Sequence, residues 1–367
     1  MRVIPPPSLE SVLQNADSSI VATFGVLVIA LLYSVHVLGS KKQAIKPRRI
    51  HNPDSTLPVI GNLLDVTKDD RVHDWLLEQC IKFKGEPWQM NIPGAQPTVI
   101  MYIPEMMEDV TSTQFGTFEK GQFQRERMEQ MLGDSIVLTD GERWQRQRKA
   151  GVKFFTSQDL VEFILTFVLA ARDTTALTLA WIFYELGRNP QVEKAIRKEM
   201  TEKLDFGKDA YLTAEDIRSL TYLEAVIKET LRFHPVAPFT TRQKTKDTFV
   251  CGDIPIKKGQ TVGLSIYSIN RNPMVWGPDA HEFNPERWID TKTGNIINVP
   301  ATKLFTFAAG PRICVGMTLA MMELRVVSAN LLRKYRFEVD LSKNDGSYAA
   351  GMTLNMQYPL PVNVKRV

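Results

Sequence analysis

The pattern of apolar and polar positions divides the chain into one long uncharged run and a longer region of mixed character. Residues 20–38 form a stretch of 19 residues without Asp, Glu, Lys or Arg. As a helix this stretch would be about 28 Å long, close to the roughly 30 Å hydrocarbon core of a bilayer. The pattern therefore predicts a short tail over residues 1–18 and a transmembrane anchor over residues 19–40.

The charges that flank this run predict its orientation. Five basic residues follow it closely, whereas residues before it carry both signs. By the positive-inside rule, everything after residue 40 is expected on the cytosolic side, as for an endoplasmic reticulum membrane protein with one span. A cleaved signal peptide and a buried helix are the alternatives; the length of the run and the downstream position of the basic cluster favour the anchor.

Residues 41–61 are basic and interrupted by proline, which predicts a stiff hinge, and residues 62–367 are expected to form the folded domain. Alternating segments at residues 88–103 and 247–267 predict strand pairs. Most of the remaining pattern has a helical period. The fold class predicted is mainly α with a small β-sheet. The clearest predicted helices cover residues 157–186, 189–204, 213–233 and 316–335.

Composition excludes several functions. The 367 residues carry a net charge of only +4, with basic and acidic residues interleaved, so nucleic acid is not an expected partner. The three cysteines lie far apart and have no Cys-x-x-Cys spacing, which argues against a disulfide framework or a zinc site. A reducing compartment is the simpler interpretation.

The stretch "FAAGPRICVG", residues 307–316, places Cys314 in a loop with two glycines and a proline. Arg312 lies two residues before it, and a nearby cation lowers the pKa of a thiol. Gly310 and Gly316 allow close approach of the backbone to another group. This pattern indicates a reactive or metal-ligating cysteine held against a flat partner.

Two further patterns involve charged residues on helices. In the apolar helix predicted from residue 157, the polar run at residues 172–175 includes Asp173 and Thr174. Buried polar groups are costly unless they are used, but a local solvent-exposed face explains the run equally well. Glu229 and Arg232 are spaced i, i+3, so they can form an ion pair, as many surface residues do.

A basic helix around "GERWQRQRK" carries Trp144 and Arg148 at spacing i, i+4. One face of this helix could bind an anionic group. An amphipathic helix with a solvated face has the same pattern, so this segment alone leaves both interpretations open.

Taken together and in order, these patterns resemble the cytochrome P-450 superfamily of haem-thiolate monooxygenases. The family's cysteine signature is Phe-x-x-Gly-x-Arg-x-Cys-x-Gly. Every fixed position of that signature is matched here, by Phe307, Gly310, Arg312, Cys314 and Gly316. The resemblance implies the P-450 fold for residues 62–367.

Other motifs of the family fall on residues already singled out. Its Glu-x-x-Arg pair falls on Glu229 and Arg232, and "FNPERW" supplies Arg287 as the expected third member of a buried triad. The resemblance also implies that residues of the Trp-x-x-x-Arg helix, and an arginine further along the chain, contact the haem propionates. These residues are Trp144, Arg148 and Arg242.

The resemblance implies a cofactor and a reaction. Haem b would be held by the thiolate of Cys314, which favours cleavage of the O–O bond. Arg312 would meet a propionate, and Asp173 with Thr174 would form the acid and alcohol pair that relays protons on the distal side. The implied reaction inserts one oxygen atom into a C–H bond, with electrons from an NADPH-dependent cytochrome reductase in the membrane.

The stretch "SIYSINRNPMVWGPDAHEFNPERW" is most similar to fatty-acid and alkane hydroxylases, so the implied substrate is lipophilic. The chain also departs from the family pattern. Only 25 residues separate Arg148 from Asp173, where the family has several more helices. An internal deletion near residues 152–160 is therefore expected, through splicing or through an incorrect gene model.

The expected deletion leaves three interpretations of function. The first is a membrane-anchored monooxygenase whose activity in this shortened form is doubtful, because the absent helices would cover the long apolar helix and the substrate cavity. The second is an inactive or regulatory haem-binding isoform that competes for the reductase. The third, a tethered helical protein without haem, requires the whole signature to be accidental.

Overall fold

The computed structural model describes residues 27–31, 46–68, 70–150, 157–204, 212–349 and 351–367. It divides into two units, residues 1–47 and 48–367, and each is considered separately. In the first unit residues 27–31 are helical, and the rest of the predicted anchor lies outside the described residues. No helix within the described ranges is long and apolar enough to cross a membrane.

The second unit is mainly helical, as the period of the sequence predicts. Its α-helices, in chain order, are α1 Leu63–Val66, α2 Val72–Phe83, α3 Pro104–Glu108, α4 Gly121–Leu132, α5 Gly141–Ala150, α6 Ser157–Arg188, α7 Pro190–Lys203, α8 Ala214–Ser219, α9 Thr221–Phe233, α10 Ile266–Arg271, α11 Pro273–Trp276 and α12 Met317–Lys334. The expected deletion near residues 152–160 falls mainly on residues 151–156, which lie outside the described residues.

The strands form one five-stranded sheet of order β1-β2-β7-β4-β3 and three two-stranded sheets, which pair β5 with β6, β8 with β11 and β9 with β10. Their bounds are β1 Trp88–Met90, β2 Thr98–Met101, β3 Phe118–Glu119, β4 Phe239–Lys244, β5 Thr248–Val250, β6 Ile254–Ile256, β7 Thr261–Ser265, β8 Tyr335–Val339, β9 Tyr348–Ala349, β10 Asn355–Met356 and β11 Val362–Arg366. The prediction of a mainly α fold with a small sheet is confirmed.

Two details differ from the pattern of the sequence. The helix predicted over residues 213–233 is two helices, because the backbone leaves the helical conformation at Leu220, where φ is −77° and ψ is 75°. The segment predicted as one strand pair over residues 247–267 supplies β5 and β6 as a hairpin, whereas β7 joins the main sheet, parallel to β2 and antiparallel to β4.

Two apolar clusters fix the helices around the sheet. One joins the sheet to α2 and α3 through fully buried side chains such as Trp88, Ile100 and Met107. The other joins α6, α7, α9 and α12 through Ile182, Ile196 and other side chains. The end of α9 and the start of α12 are thereby held in one helical layer, and the cysteine loop lies directly before α12.

A buried pair of titratable groups joins α6 to the end of α9. Nε2 of His234 lies 2.7 Å from a carboxylate oxygen of Glu185, and the ring of Trp181 stacks on the imidazole at 3.9 Å. Burial lowers the pKa of His234 from 6.5 to about 4, although Glu185 acts in the opposite direction. Burial also lowers the pKa of His73 to about 4. Both histidines are therefore neutral in the folded chain near pH 7.

We expect the free energy of unfolding to fall as the pH drops from about 6.5 to about 4. In that window His73 and His234 bind protons in the unfolded chain but stay neutral in the folded chain. Each histidine therefore lowers the free energy of unfolding by up to about 1.4 kcal/mol for each pH unit of acidification. Replacing His234 with Gln keeps an N–H donor for Glu185 and should reduce this slope by about half in urea titrations at several pH values. The exposed His281→Gln variant is the control, and an unchanged slope in His234→Gln would contradict the assignment.

Candidate functional site

The cysteine loop is shaped by its own backbone. Residues 310–312 form one turn of 3₁₀ helix, and the amide of Cys314 donates to the carbonyl of Phe307 at 2.9 Å. Gly310 has a φ of +64°, and a Cβ there would overlap the main-chain oxygen of Thr111. The loop is thus pressed against the π-helical turn Asp109–Thr113, and only glycine fits at this contact.

Cys314 presents its thiol at the start of α12. The residue is exposed, whereas Cys80 is buried and Cys251 is half-buried. Neighbouring protein atoms desolvate the sulfur and raise its pKa, while the amides of Gly316 and Met317 and the charge of Arg148 act in the opposite direction. The thiol is therefore protonated at neutral pH, and a bound metal ion would be needed to hold it as a thiolate.

Arg312 is fixed by partners on the segment that precedes α5. Its guanidinium donates to Asp140 at 2.5 Å and to the carbonyl of Thr139 at 2.9 Å. It also lies 4.5 Å from the ring of Trp144, which is buried on α5. Trp144 therefore packs on the arginine of the cysteine loop, and the structure brings these two predicted site residues together.

Further cations lie beside Arg312. Burial, with Arg312 as the next cause, lowers the pKa of the Arg242 guanidinium to about 10. Removal from water, together with Arg242 and Arg312, lowers the pKa of Lys120 well below its ordinary value. Asp140 is the main opposing carboxylate for all three groups. This cation cluster, Lys120, Arg242 and Arg312, sets three cations against the carboxylates of Asp140 and Glu119, so positive charge is in excess.

Arg148 connects this cluster to the thiol. Burial is the largest influence on the pKa of both Arg312 and Cys314, and the positive charge of Arg148 adds to the lowering at Arg312 and opposes the raising at Cys314. An exposed soft ligand beside an excess of cations suits a metal-bearing group that also carries carboxylates. Haem b, with its iron and two propionates, has this chemistry, and the residues present fit it.

Glu229 and Arg232 form a fully buried ion pair on α9. The guanidinium donates twice to the carboxylate, at 2.7 and 2.8 Å. Its other donors reach the carbonyls of Asn270, Ala280 and Glu282 at 2.8–2.9 Å. All five N–H groups of Arg232 are therefore satisfied, as a buried guanidinium requires.

Arg287 lies at the edge of this pair. Its Nε is 3.5 Å from Glu229, but its close contact is a two-pronged ion pair with Asp279, at 2.7 and 3.1 Å. Glu229 also accepts from the amide of Asn284 and from the indole of Trp288, both at 2.9 Å. The expected triad is thus a larger network in which Asp279 is a member that the sequence did not indicate.

Asp173 and Thr174 lie on α6. Asp173 is exposed, and the hydroxyl of Thr174 donates to the carbonyl of Ala170 within the helix at 2.5 Å. The helix itself packs against α9 and α12. The structure thus places this pair on a helix that borders α12, with hydrogen bonds that stay within the helix.

Sequence reasoning missed Asp140 and Lys120. Asp140 precedes Gly141, the first residue of α5, and its carboxylate accepts from the amide of Lys120 at 3.0 Å as well as from Arg312. A signal existed, since an Asp-Gly pair is typical of a turn before a helix. Nothing in the local pattern indicates that Lys120, some 190 residues before Arg312, lies beside it.

These features define a cysteine-ligand site with an adjacent anion-binding cluster. The model of the cytochrome P450 family matches residues 51–158 and 150–362. The match covers well over half of the chain, so the chain belongs to the cytochrome P450 family, whose members carry haem b on a cysteine thiolate.

Several curated proteins are similar to parts of this chain. Cytochrome P450 CYP94D109 of Paris polyphylla is 33% identical over 57% of this chain and 42% of its own length. Putative cytochrome P450 CYP13A5 of Caenorhabditis elegans is 37% identical over 51% of the chain and 35% of its own length. Alkane hydroxylase MAH1 of Arabidopsis thaliana is 32% identical over 56% and 39%. The chain thus spans less than half the length of these relatives.

Replacing Gly310 with Ala should destabilise the cysteine loop. A left-handed backbone costs a non-glycine residue about 1–2 kcal/mol, and the overlap with Thr111 adds to this cost. Gly94 also has a positive φ, but no atom lies within 4 Å of its Cβ position. Gly94→Ala is therefore the matched control, and equal losses in urea unfolding for both variants would show that the close contact is unimportant.

Replacing Glu229 with Gln should reduce the free energy of unfolding by about 3–5 kcal/mol, because the buried charge of Arg232 would lose its counterion. Denaturant titration measures this loss. Glu202→Gln removes one carboxylate from an exposed pair with Lys198 on α7 and should change stability by less than about 0.5 kcal/mol. A small loss for Glu229→Gln would refute the role given to the buried pair.

Proposed function

We propose that this chain is a haem-thiolate monooxygenase that hydroxylates a lipophilic substrate. The observation that carries the proposal is the exposed thiol of Cys314 beside a cation cluster short of negative charge. When bound, haem b supplies the activation of dioxygen that allows one oxygen atom to enter a C–H bond. The residues of the chain bind and orient this group.

Each site residue then has a definite task. Cys314 would hold the haem iron through its sulfur, and Phe307 accepts the hydrogen bond from the amide of Cys314 that shapes the loop. Gly310 and Gly316 present no side chain at their own positions in the loop, and at Gly310 the backbone of Thr111 leaves no room for one. The cation cluster, together with Arg148, would bind the propionates, and Trp144 packs on Arg312.

Asp173 and Thr174 are proposed to hold and pass a proton on the opposite side of the haem. Support comes from their place on α6, which packs against the helix that follows the cysteine loop. An acid and a hydroxyl one residue apart can transfer a proton when both reach the same cavity. Glu229, Arg232 and Arg287 are proposed to have a structural role, as members of the buried ion-pair network.

The substrate, partner and location are inferred from likeness. An alkane hydroxylase is among the similar proteins, and this supports a fatty acid or an alkane as the substrate. The electrons are proposed to come from an NADPH-dependent cytochrome reductase. The uncharged run at residues 20–38 supports anchoring in the endoplasmic reticulum membrane, with residues 62–367 on the cytosolic side.

A second candidate is a haem-holding chain without oxygenase activity. Part of α6 is uncovered: Val168 is 51% exposed, and Ala170, Ala171 and Asp173 are exposed as well. The family model matches the chain in two pieces, residues 51–158 and 150–362, and this supports an internal deletion near residues 152–160. Poor exclusion of water would then prevent productive chemistry.

Absorption spectra of the full chain, expressed in membranes, reduced and exposed to carbon monoxide, test the proposal. A Soret band of the thiolate type is expected for the wild type and for Cys251→Ala, and it should be lost in Cys314→Ala, which removes the ligand. A thiolate-type band that persists in Cys314→Ala would refute the assignment. If the wild type shows the band but converts no fatty acid or alkane when reductase and NADPH are supplied, the second candidate is correct.

A further inference from the structure

The carbonyl of Leu231, in the last turn of α9, has no partner from its own helix. The carbonyl of Leu231 would normally accept from the amide of residue 235, but that residue is Pro235 and has no N–H. The hydroxyl of Thr306 donates to this carbonyl at 2.8 Å. Thr306 directly precedes Phe307, so the helix end is completed by the cysteine loop.

Asn270 connects the same hydroxyl to the buried ion pair. The residue is fully buried, and its side chain donates to the Thr306 hydroxyl at 2.8 Å and accepts from the amide of Phe305 at 3.2 Å. Its main-chain oxygen accepts from Arg232 at 2.9 Å. Asn270 thus touches both the loop and the Glu229–Arg232 network.

The hydrogen bonds of Asn270 to Phe305 and Thr306, and of Thr306 to Leu231, form a bridge in which each donor and acceptor can be assigned. The amide of Phe305 can only donate, so the side-chain oxygen of Asn270 must face it. The NH₂ group of Asn270 therefore faces Thr306, whose hydroxyl accepts this bond and is left to donate to Leu231. A residue without a hydroxyl at position 306 would break two bonds at once.

The bridge is connected to Cys314 through the backbone of Phe307. Phe307 follows Thr306, and its carbonyl accepts from the amide of Cys314 at 2.9 Å. A movement of Thr306 therefore shifts the hydrogen-bonded partner of Cys314. The buried ion pair is rigid, since all its donors are satisfied, so it provides a fixed reference for the loop.

We propose that Asn270 and Thr306 are positioning residues, which hold the loop against the end of α9 so that Cys314 meets the haem iron as a thiolate. They act through the backbone of residues 305–307, so neither needs to touch haem or substrate. The proposal rests on the proposed role of Cys314 as the axial ligand.

The test compares Thr306→Val, which removes the hydroxyl, with Thr306→Ser, which keeps it. Thr245→Val is the matched control, because it removes a hydroxyl bonded to the carbonyl of Thr117, directly after β4 and directly before β3, and not to α9. Two measurements are made on the full chain. One is amide hydrogen exchange of residues 305–316 without added haem; the other is the fraction of thiolate-type haem after addition of haem, reduction and exposure to carbon monoxide.

We expect exchange of residues 305–316 to be about two- to tenfold faster in Thr306→Val, since this is the factor by which one net hydrogen bond changes an opening equilibrium. The thiolate fraction should fall in that variant, and both readouts should return toward wild type in Thr306→Ser. Asn270→Ala should act in the same direction as Thr306→Val.

Unchanged exchange in Thr306→Val, or an equal effect in Thr245→Val, would overturn the inference. So would faster exchange without any loss of thiolate-type haem. If the wild type binds no haem, the proposed function fails, and the exchange data alone then decide whether the bridge anchors the loop.

Discussion

The buried guanidinium of Arg232 is the interaction on which the rest of the domain depends. A buried charge is tolerated only when each donor has an acceptor, and here the five acceptor contacts come from Glu229 and from three carbonyls at residues 270, 280 and 282. These carbonyls belong to irregular or short segments that have little helix or sheet of their own. The Arg232 guanidinium therefore fixes the positions of these segments against α9, which apolar packing alone would hold less firmly.

The cysteine loop is held from two sides by different physical forces. On one side the close contact of Gly310 with Thr111 and the bonds from Arg312 to residues 139 and 140 join it to the segments before α4 and α5. On the other side hydrogen bonds through Asn270 and Thr306 join it to α9. Because both sides are fixed, the thiol has a defined position although the residue itself is exposed.

Much of the site could be predicted from short motifs. The members of the cysteine loop lie within ten residues of one another, and the two members of the Glu-x-x-Arg pair are three residues apart. The pairing of Glu229 with Arg232 follows from helix geometry alone. Lys120, Asp140 and Asp279 could not be found in this way, since they meet their partners only through the tertiary fold. The break at Leu220 was hidden because the apolar period continues through it, while the backbone of this one residue leaves the helical conformation.

The bond between Thr306 and Leu231 also has a consequence for the order of folding. Its ends are 75 residues apart, so the last turn of α9 cannot be completed until a long segment has returned to it. Ordering of the loop before α12 is thus expected among the late events, after the helical layer has assembled. The chain would then present its cysteine to a cofactor only when the surrounding domain is nearly native, which limits premature capture of metal by an unfolded thiol.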